Sequence, residues 1–495
     1  MRRRPRRRET RRATRGDRAG ARGRFATGGL VVSGFSARPY LDRLSGSQTV
    51  ELNGRIRSAV GLVVRAALPE TWIGELCEIR TQPGASPLLA EVVGFRGDEA
   101  LLMPLGELRH VGTSSLVRRL DRSLTVRVGD GLVGRVLDGL GRPADGRPIT
   151  GMLVDRPVHA APPQPLSRAP ISEPFATGVR AIDGILTMGE GQRVGVFAGA
   201  GVGKSTLLGM IARNASADIV VIGLIGERGR EVREFLELDL GPRGMERSIA
   251  VVATSDQPAL VRMHAAYVAT AVAEHFRAEG MRVLLLMDSV TRFARALREV
   301  GLAAGEPPAR AGYPPSVFAE LPRLLERAGT DTRGSITAVY TVLVEGDDHN
   351  EPVADETRSI LDGHIVLSAE RARRGAFPAI EIARSASRVM SRVATSSHID
   401  AARHVRALLA AYERERDLIL LGAYETGTDA LVDEAVAKVD SIEDFLAQRP
   451  DENVPLAAST AAVEAFAEPL ELPSSEGDQE ANDEWDDDDF ERDDE

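Results

Sequence analysis

The stretch Val194-Gly-Val-Phe-Ala-Gly-Ala-Gly-Val-Gly-Lys-Ser-Thr206 decides the fold of this chain. A strand-forming run, Val194 to Phe197, passes directly into a glycine-rich loop, and the loop passes into a helix-forming run that continues from Thr206. Strand, glycine loop and helix in this order are the context that a phosphate-binding loop requires. Because the glycines let successive N–H groups turn inward and the helix amino terminus adds its dipole, the stretch predicts an anion site.

This loop predicts ATP and Mg²⁺ as ligands. Lys204 is expected to reach the β- and γ-phosphates, and the Ser205 hydroxyl is expected to ligate Mg²⁺. The first motif position holds Ala198 instead of glycine, at the end of the strand, where alanine can be accommodated. The residues predicted to contact the nucleotide are Gly199, Ala200, Gly201, Val202, Gly203, Lys204, Ser205 and Thr206.

Four apolar, β-rich runs alternate with helical stretches and predict a parallel sheet flanked by helices: Val194 to Ala198, Ile219 to Ile225, Val283 to Met287 and Ile336 to Val344.

Two acidic residues follow predicted strands of this sheet. The run Val283 to Met287 ends in Asp288, a placement that suits a group ordering the water shell of Mg²⁺. Glu227 follows the run Ile219 to Ile225, at the carboxyl edge where open α/β sheets bind their ligands. There it can polarise an attacking water, which predicts hydrolysis instead of transfer to an acceptor. From spacing alone, a solvated turn acid is the open alternative for Glu227.

The composition predicts a soluble chain with several domains. Its 495 residues are 43% hydrophobic and 27% charged, and no apolar run approaches the roughly 20 residues of a membrane span. The single Cys77 excludes an internal disulfide, and the start lacks the apolar segment of a signal peptide, so a cytoplasmic location is expected. The expected organisation is a basic disordered arm (1–28), a small all-β domain (29–115), a parallel-sheet α/β P-loop core (116–395), a helical domain (396–450) and an acidic disordered tail (451–495).

Several longer blocks resemble type III secretion and flagellar export ATPases, relatives of the catalytic subunit of rotary ATP synthases, over residues 40–448. Besides the phosphate loop, the matching blocks are Val128-Gly-Asp-Gly-Leu-Val-Gly-Arg-Val-Leu-Asp-Gly-Leu-Gly-Arg-Pro143, Ile225-Gly-Glu-Arg-Gly-Arg-Glu-Val232, Asp288-Ser-Val-Thr-Arg-Phe-Ala-Arg-Ala-Leu-Arg-Glu299, Gly312-Tyr-Pro-Pro-Ser-Val-Phe318, Val344-Glu-Gly-Asp-Asp-His-Asn-Glu-Pro352, Arg358-Ser-Ile-Leu-Asp-Gly-His-Ile-Val-Leu367 and Ser385-Ala-Ser-Arg-Val-Met390. The resemblance implies a RecA-like core between an N-terminal β-barrel and a C-terminal helical domain.

The resemblance also implies roles for individual residues. Glu227 matches the catalytic glutamate, with Arg228 near the γ-phosphate and Glu231 near the magnesium waters. Arg388 matches the arginine finger that neighbouring subunits insert into each other's sites, and a core ion pair is its alternative. Phe377 stands where the family usually has a tyrosine stacking on adenine, and packing in the core is its alternative.

The resemblance further implies a homohexamer in which ATP hydrolysis drives chaperone release and unfolding of exported proteins. The implied partners are a stator and a central stalk, the export gate, and secretion chaperones with their substrates. These partners would hold the ring at the inner face of the cell membrane. A rotary ATP synthase or proton-pump subunit and a ring-shaped RNA translocase are the alternative functions. The Arg-rich start, residues 1–24, is either an added arm for anionic lipid or nucleic acid or an over-extended translation start.

Overall fold

A computed structural model of the chain describes residues 53–81, 86–344 and 351–468. The predicted basic arm and residues 469–495 of the predicted acidic tail lie outside the described residues. Within the described part of the chain, none of the helices is both long and apolar enough to cross a membrane.

The first six strands close into a barrel, with the strand order β1-β2-β5-β4-β3-β6. Alternate side chains point inward, so Ile56, Val64 and Ile79 form part of a small apolar core. The predicted boundary at residue 115 is too early, because β6 must pair with both β1 and β3 to close the barrel. The six strands are β1 (Asn53–Val60), β2 (Val63–Ala67), β3 (Leu76–Arg80), β4 (Leu88–Arg96), β5 (Glu99–Pro104) and β6 (Leu116–Arg119).

A largely parallel sheet forms the centre of the molecule, in the order β19-β18-β12-β17-β15-β13-β14-β8, with β16 pairing on β17. The four strands predicted from apolar runs are all present as β12, β13, β15 and β17, which confirms the α/β core. Strands β8, β14 and β18 were not predicted from the sequence. The remaining strands are β7 (Thr125–Val128), β8 (Arg135–Asp138), β9 (Val154–Pro157), β10 (Pro174–Phe175), β11 (Met188–Gly189), β12 (Arg193–Ala198), β13 (Ile219–Ile225), β14 (Ser248–Ala253), β15 (Arg282–Asp288), β16 (Gly329–Thr330), β17 (Ser335–Leu343), β18 (Gly363–Val366) and β19 (Ala386–Ser387).

Helices cover both faces of this sheet and form the C-terminal unit. A π-helix, Phe235–Leu240, continues directly from α3 and packs against the helix that follows the phosphate loop. The α-helices are α1 (Arg180–Ile185), α2 (Lys204–Asn214), α3 (Gly229–Glu234), α4 (Gly241–Met245), α5 (Ala259–Ala278), α6 (Val290–Ala304), α7 (Pro315–Leu325), α8 (Pro352–Ile360), α9 (Ala369–Arg373), α10 (Met390–Val393), α11 (Ser396–Leu420), α12 (Ala430–Leu446) and α13 (Leu456–Phe466).

The C-terminal unit consists of α11, α12 and α13. The Asp429 carboxylate accepts hydrogen bonds from the N–H groups of Leu431 and Val432 and so caps the start of α12. The prediction of a disordered tail from residue 451 is wrong for α13. That segment is still apolar enough to pack on α1 and α11, with Val463 fully buried, and the acidic block starts only at Glu471.

A buried ion pair joins two helices on one face of the sheet. Arg327, just after α7, donates two hydrogen bonds of 2.8 and 2.7 Å to the Glu274 carboxylate on α5, and a third to the Val158 carbonyl. Both side chains are almost completely buried. Their charges are therefore tolerated only as a pair, because a buried charge without a partner is costly.

We expect Arg327→Met to lower the free energy of unfolding by about 3–5 kcal/mol, because it removes both short hydrogen bonds of the buried Glu274 carboxylate and leaves it the longer contact with Arg156, at 3.7 Å. Urea denaturation followed by circular dichroism measures the change. Adding Glu274→Leu should recover most of the loss. The control, Arg233→Met, removes a solvent-exposed pair with Glu237 and should cost less than about 1 kcal/mol. Equal losses of unfolding free energy in Arg327→Met and Arg233→Met would contradict the assignment of Arg327 and Glu274 as a pair whose burial makes its disruption costly.

Candidate nucleotide site

The phosphate loop begins where β12 ends. Ala198 is the last residue of β12, is paired with Leu343 of β17, and accepts a hydrogen bond from the Val344 N–H at 3.0 Å. The strand end thus accommodates alanine at the first motif position. Gly201 and Gly203 have φ angles of 75° and 86°, a region that disfavours residues with a side chain, and α2 starts at the next residue. The loop therefore presents backbone N–H groups at a helix amino terminus.

Three charged side chains meet beneath this loop. The Lys204 Nζ atom donates to Asp288 Oδ1 at 2.5 Å and lies 3.8 Å from Glu227 Oε1. Lys204 follows the loop at the carboxyl end of β12, Asp288 ends β15, and Glu227 follows β13, and these strand ends share one edge of the sheet. The Thr341 hydroxyl, on β17, donates to the same Asp288 oxygen at 2.7 Å and fixes the orientation of that carboxylate.

Glu227 is the most perturbed acid of this cluster. The pKa of Glu227 is raised to about 7: burial is the largest cause, the negative charge of Asp288 adds to it, and the charges of Lys204 and Arg292 partly oppose the rise. Among the described residues, Glu227 Oε1 is buried without a hydrogen-bond partner. A buried acceptor of this kind, facing the phosphate loop, is available to a water molecule.

The oxygen ligands at the site fit Mg²⁺. The Ser205 hydroxyl and the Asp288 carboxylate are hard donors, which this ion prefers. No cluster of three or more His, Cys, Asp or Glu side chains able to hold a metal ion occurs in the part of the chain that the structure describes. Mg²⁺ usually binds through one or two protein oxygens together with phosphates and water.

Arg228 and Glu231 flank Glu227 at the start of α3. The Arg228 guanidinium lies 3.3 Å from Glu231 Oε1, and its side chain is 75% exposed. The Glu231 carboxyl shares a hydrogen bond with Glu227, which adds to the raised pKa of Glu227. Both predicted residues thus belong to the rim of the site, while Lys204, Glu227 and Asp288 form its buried centre.

Two residues of the site were not singled out from the sequence. Arg292, in the first turn of α6, lies against Gly226, and its charge acts on Glu227; within the described residues its Nε atom is buried and has no partner. Its position just after the strand that ends in Asp288, in the first turn of the following helix, was a usable signal. Thr341 gave no signal, because only the pairing of β15 with β17 brings it to Asp288.

Phe377 lies beside the phosphate loop. A methyl group built on Gly203 would lie 3.3 Å from the edge of the Phe377 ring, and the Phe377 residue is 43% exposed. Its partial exposure argues against the alternative of core packing. The ring is therefore available to a flat ligand group next to the loop.

Arg388 lies at the opposite edge of the sheet from the loop. It is exposed, and its N–H donates to the Asp362 carbonyl at 3.0 Å. The Asp362 side chain binds Arg193 at the start of β12, whereas the loop follows the end of β12. At roughly 3.3 Å per residue, the five steps along β12 separate the two levels by about 17 Å. Arg388 therefore does not join the site of its own chain.

Three family models match the chain in succession. The β-barrel domain of the ATP synthase alpha/beta family matches residues 56–121, and its nucleotide-binding domain matches residues 178–387. The C-terminal domain of the type III secretion EscN ATPase matches residues 394–465. The last match includes α13, in agreement with the extended C-terminal unit.

Curated relatives align over nearly their full length. The flagellum-specific ATP synthase of Bacillus subtilis is 51% identical over 430 residues, covering 87% of this chain and 98% of the relative. The type 3 secretion system ATPase of Xanthomonas euvesicatoria is 54% identical over 399 residues, covering 81% and 90%.

Solved structures agree with this relationship. The assembled ATPase EscN of the enteropathogenic E. coli type III secretion system superposes with a TM-score of 0.79 at 48% identity, covering 83% of this chain and 99% of that chain. The same ATPase in complex with its central stalk EscO gives a TM-score of 0.77 at 48% identity, with the same coverage.

The raised pKa of Glu227 predicts the pH dependence of ATP turnover. If Glu227 acts as a base it must be ionised, so kcat/KM should fall about tenfold per pH unit below a pKa of about 7 and level off above it. Initial rates at low ATP and saturating Mg²⁺ test this. Glu227→Gln, which cannot titrate, should keep only a low rate without this step. A wild-type profile that is flat between about pH 6 and 8 would contradict the prediction.

Proposed function

The chain belongs to the family of type III secretion and flagellar export ATPases and is an ATP hydrolase, and on this premise we propose that it uses Mg²⁺-ATP to drive protein export. In this proposal the energy of hydrolysis releases chaperones from exported proteins and unfolds those proteins for passage through the secretion channel. The match of residues 394–465 to the EscN-type C-terminal domain favours export over a rotary ATP synthase or proton-pump function.

The buried, unpartnered Glu227 oxygen beside Lys204 is the observation that carries the hydrolytic assignment. We assign Glu227 as the base that orients and deprotonates the attacking water. The N–H groups of residues 199–203 and the Lys204 ammonium hold the phosphates. Lys204 must then leave Asp288, because its charge is needed by the phosphate oxygens and the Asp288 carboxylate is needed by the hydrated ion.

The remaining site residues have supporting roles. Ser205 supplies the hydroxyl ligand of Mg²⁺, and Glu231 binds the water shell of the ion. Arg228, on the exposed rim, is free of deep packing and can turn toward the γ-phosphate from its contact with Glu231. Phe377 stacks on adenine. Thr206, in the first turn of α2, also contacts the phosphates. Bound Mg²⁺ supplies neutralisation of the charge that develops on the phosphate oxygens.

The position of Arg388 supports a ring. Because its main chain lies about 17 Å along β12 from the level of its own loop, we infer that it completes a site on a neighbouring subunit. A head-to-tail contact repeated around a closed ring gives every site such a neighbour. We therefore propose a homohexamer in which Arg388 serves as the arginine finger. The solved assembly of the related EscN ATPase supports this arrangement.

The relatives also suggest partners. The solved complex of EscN with the stalk EscO supports a central-stalk partner for this chain. A stator, the export gate, and chaperones with their substrates complete the proposed set. The chain would then work in the cytoplasm at the inner face of the cell membrane, held there by these partners.

Mixing two inactive variants tests the shared site. Glu227→Gln removes the base and Arg388→Ala removes the finger, so each pure ring should lose roughly a thousandfold in kcat. In a random mixture, about one interface in four combines an intact base with an intact finger, and ATPase activity should partly return. Glu227→Gln mixed with the Glu227→Gln/Arg388→Ala double variant is the control, because no intact site forms there. Absence of recovery beyond this control, in rings shown to exchange subunits, would contradict the model.

The export role predicts an ATP-dependent effect on chaperone–substrate pairs. With a cognate pair, ATP and Mg²⁺ should release the substrate, measured as loss of the pair by size-exclusion chromatography, while Lys204→Ala should release none. The translocase alternative is tested by adding RNA and measuring ATP turnover. If RNA raises ATP turnover strongly and the cognate pair is not released, the export proposal is wrong.

A further inference from the structure

A short segment connects the C-terminal unit to the nucleotide site. Residues 447–453 run between α12 and α13, and this segment is called the strap below. Most of the strap is exposed, yet Gln448 is only 5% exposed. A buried glutamine in an exposed connection needs partners for a donor and an acceptor, and these partners show what the strap holds.

Gln448 bonds to two segments of the nucleotide-binding core. Its backbone N–H donates to the Phe377 carbonyl at 2.9 Å. Its side-chain Nε2 donates to the Gly178 carbonyl at 2.8 Å, and its Oε1 accepts from the Arg180 N–H, also at 2.8 Å. The side chain therefore anchors the strap to the start of α1, while the main chain holds the residue proposed to stack on adenine.

The strap also touches the helix that carries the phosphate loop. Arg213 donates to the Pro450 carbonyl at 2.6 Å, and Asn214 donates to the Glu452 carbonyl at 3.3 Å. Both residues lie at the carboxyl end of α2, whose first residue is Lys204. The strap thus contacts both α2, which follows the phosphate loop, and Phe377. It therefore connects the phosphate side of the site to the Phe377 side.

We propose that Gln448 is a positioning residue for the base-binding part of the site: it anchors the strap so that the strap holds Phe377 against the phosphate loop. This inference rests on the proposed stacking of Phe377 on adenine. Gln448 itself contacts α1 and the Phe377 main chain and has no assigned contact with the nucleotide. A shift of α12 and α13 would move the strap, and with it the Phe377 ring.

The chemistry of the glutamine amide explains the residue type. Its Nε2 faces a carbonyl and its Oε1 faces an N–H, so both ends of the amide are used. Glutamate would place a carboxylate oxygen against the Gly178 carbonyl and lose the donor. Alanine would leave the Arg180 N–H and the Gly178 carbonyl without their side-chain partner. Either change should loosen the strap while sparing the buried centre at Lys204, Glu227 and Asp288.

Steady-state kinetics of the full-length protein tests the inference. Gln448→Ala and Gln448→Glu should raise KM for ATP roughly three- to tenfold, the factor expected for weakened aromatic stacking, with kcat changed less than about twofold. Val463→Ala is the matched control, because it creates a cavity under α13 but leaves every hydrogen bond of the strap in place. It should lower the melting temperature and leave KM unchanged. A similar rise of KM in Val463→Ala would show a general loss of stability and overturn the inference.

A double-mutant cycle shows whether Gln448 acts through Phe377. If it does, Phe377→Ala/Gln448→Ala should have the same KM as Phe377→Ala alone. Multiplied effects of the two substitutions would overturn the inference, and so would an unchanged KM in both Gln448 variants. If Phe377→Ala itself leaves KM unchanged, the stacking role fails as well. If Phe377→Ala also keeps the wild-type kcat, the hydrolytic function stands without the stacking role.

Discussion

The ion pair between Lys204 and Asp288 beneath the phosphate loop is the interaction on which the rest of the site depends. Its two groups, with Glu227, are delivered by the carboxyl ends of three parallel strands, so the sheet itself sets their spacing. Burial makes each charge costly alone, and the cluster of one cation with two acids keeps one acid only partly ionised near neutral pH. The proposed roles of Glu227 as a base near neutral pH and of Lys204 as a phosphate ligand both depend on this one cluster of charges.

The same sheet carries the nucleotide site and Arg388 at opposite edges. Its carboxyl edge carries the phosphate loop and the two acids, and the start of β12 and β18 carries Arg388 at the opposite edge. Because the strands are rigid, this separation is fixed, and in the proposed ring Arg388 acts on the site of another subunit. That proposal links hydrolysis to assembly, which is consistent with the solved assembly of a 48% identical relative.

The C-terminal unit is joined to the core by more than chain connectivity. Helix α13 packs on α1, and the strap with Gln448 reaches both Phe377 and the end of α2. A force applied to α11 and α12 by a partner would therefore be transmitted to the nucleotide site through the hydrogen bonds of the strap. This route gives the proposed export function a physical connection between the C-terminal unit and the nucleotide site.

The sequence by itself determined the local features: the phosphate loop, the four central strands, the cap of α12, and the placement of Asp288 and Glu227 at strand ends. These depend on glycine conformations, on apolar runs and on neighbouring residues, all of which are legible along the chain. The tertiary structure alone decided the barrel closure by β6, the contact of Thr341 with Asp288, the distance of Arg388 from its own loop, and the folding of α13. Each of these depends on pairing or packing between segments far apart in sequence, which no local pattern records.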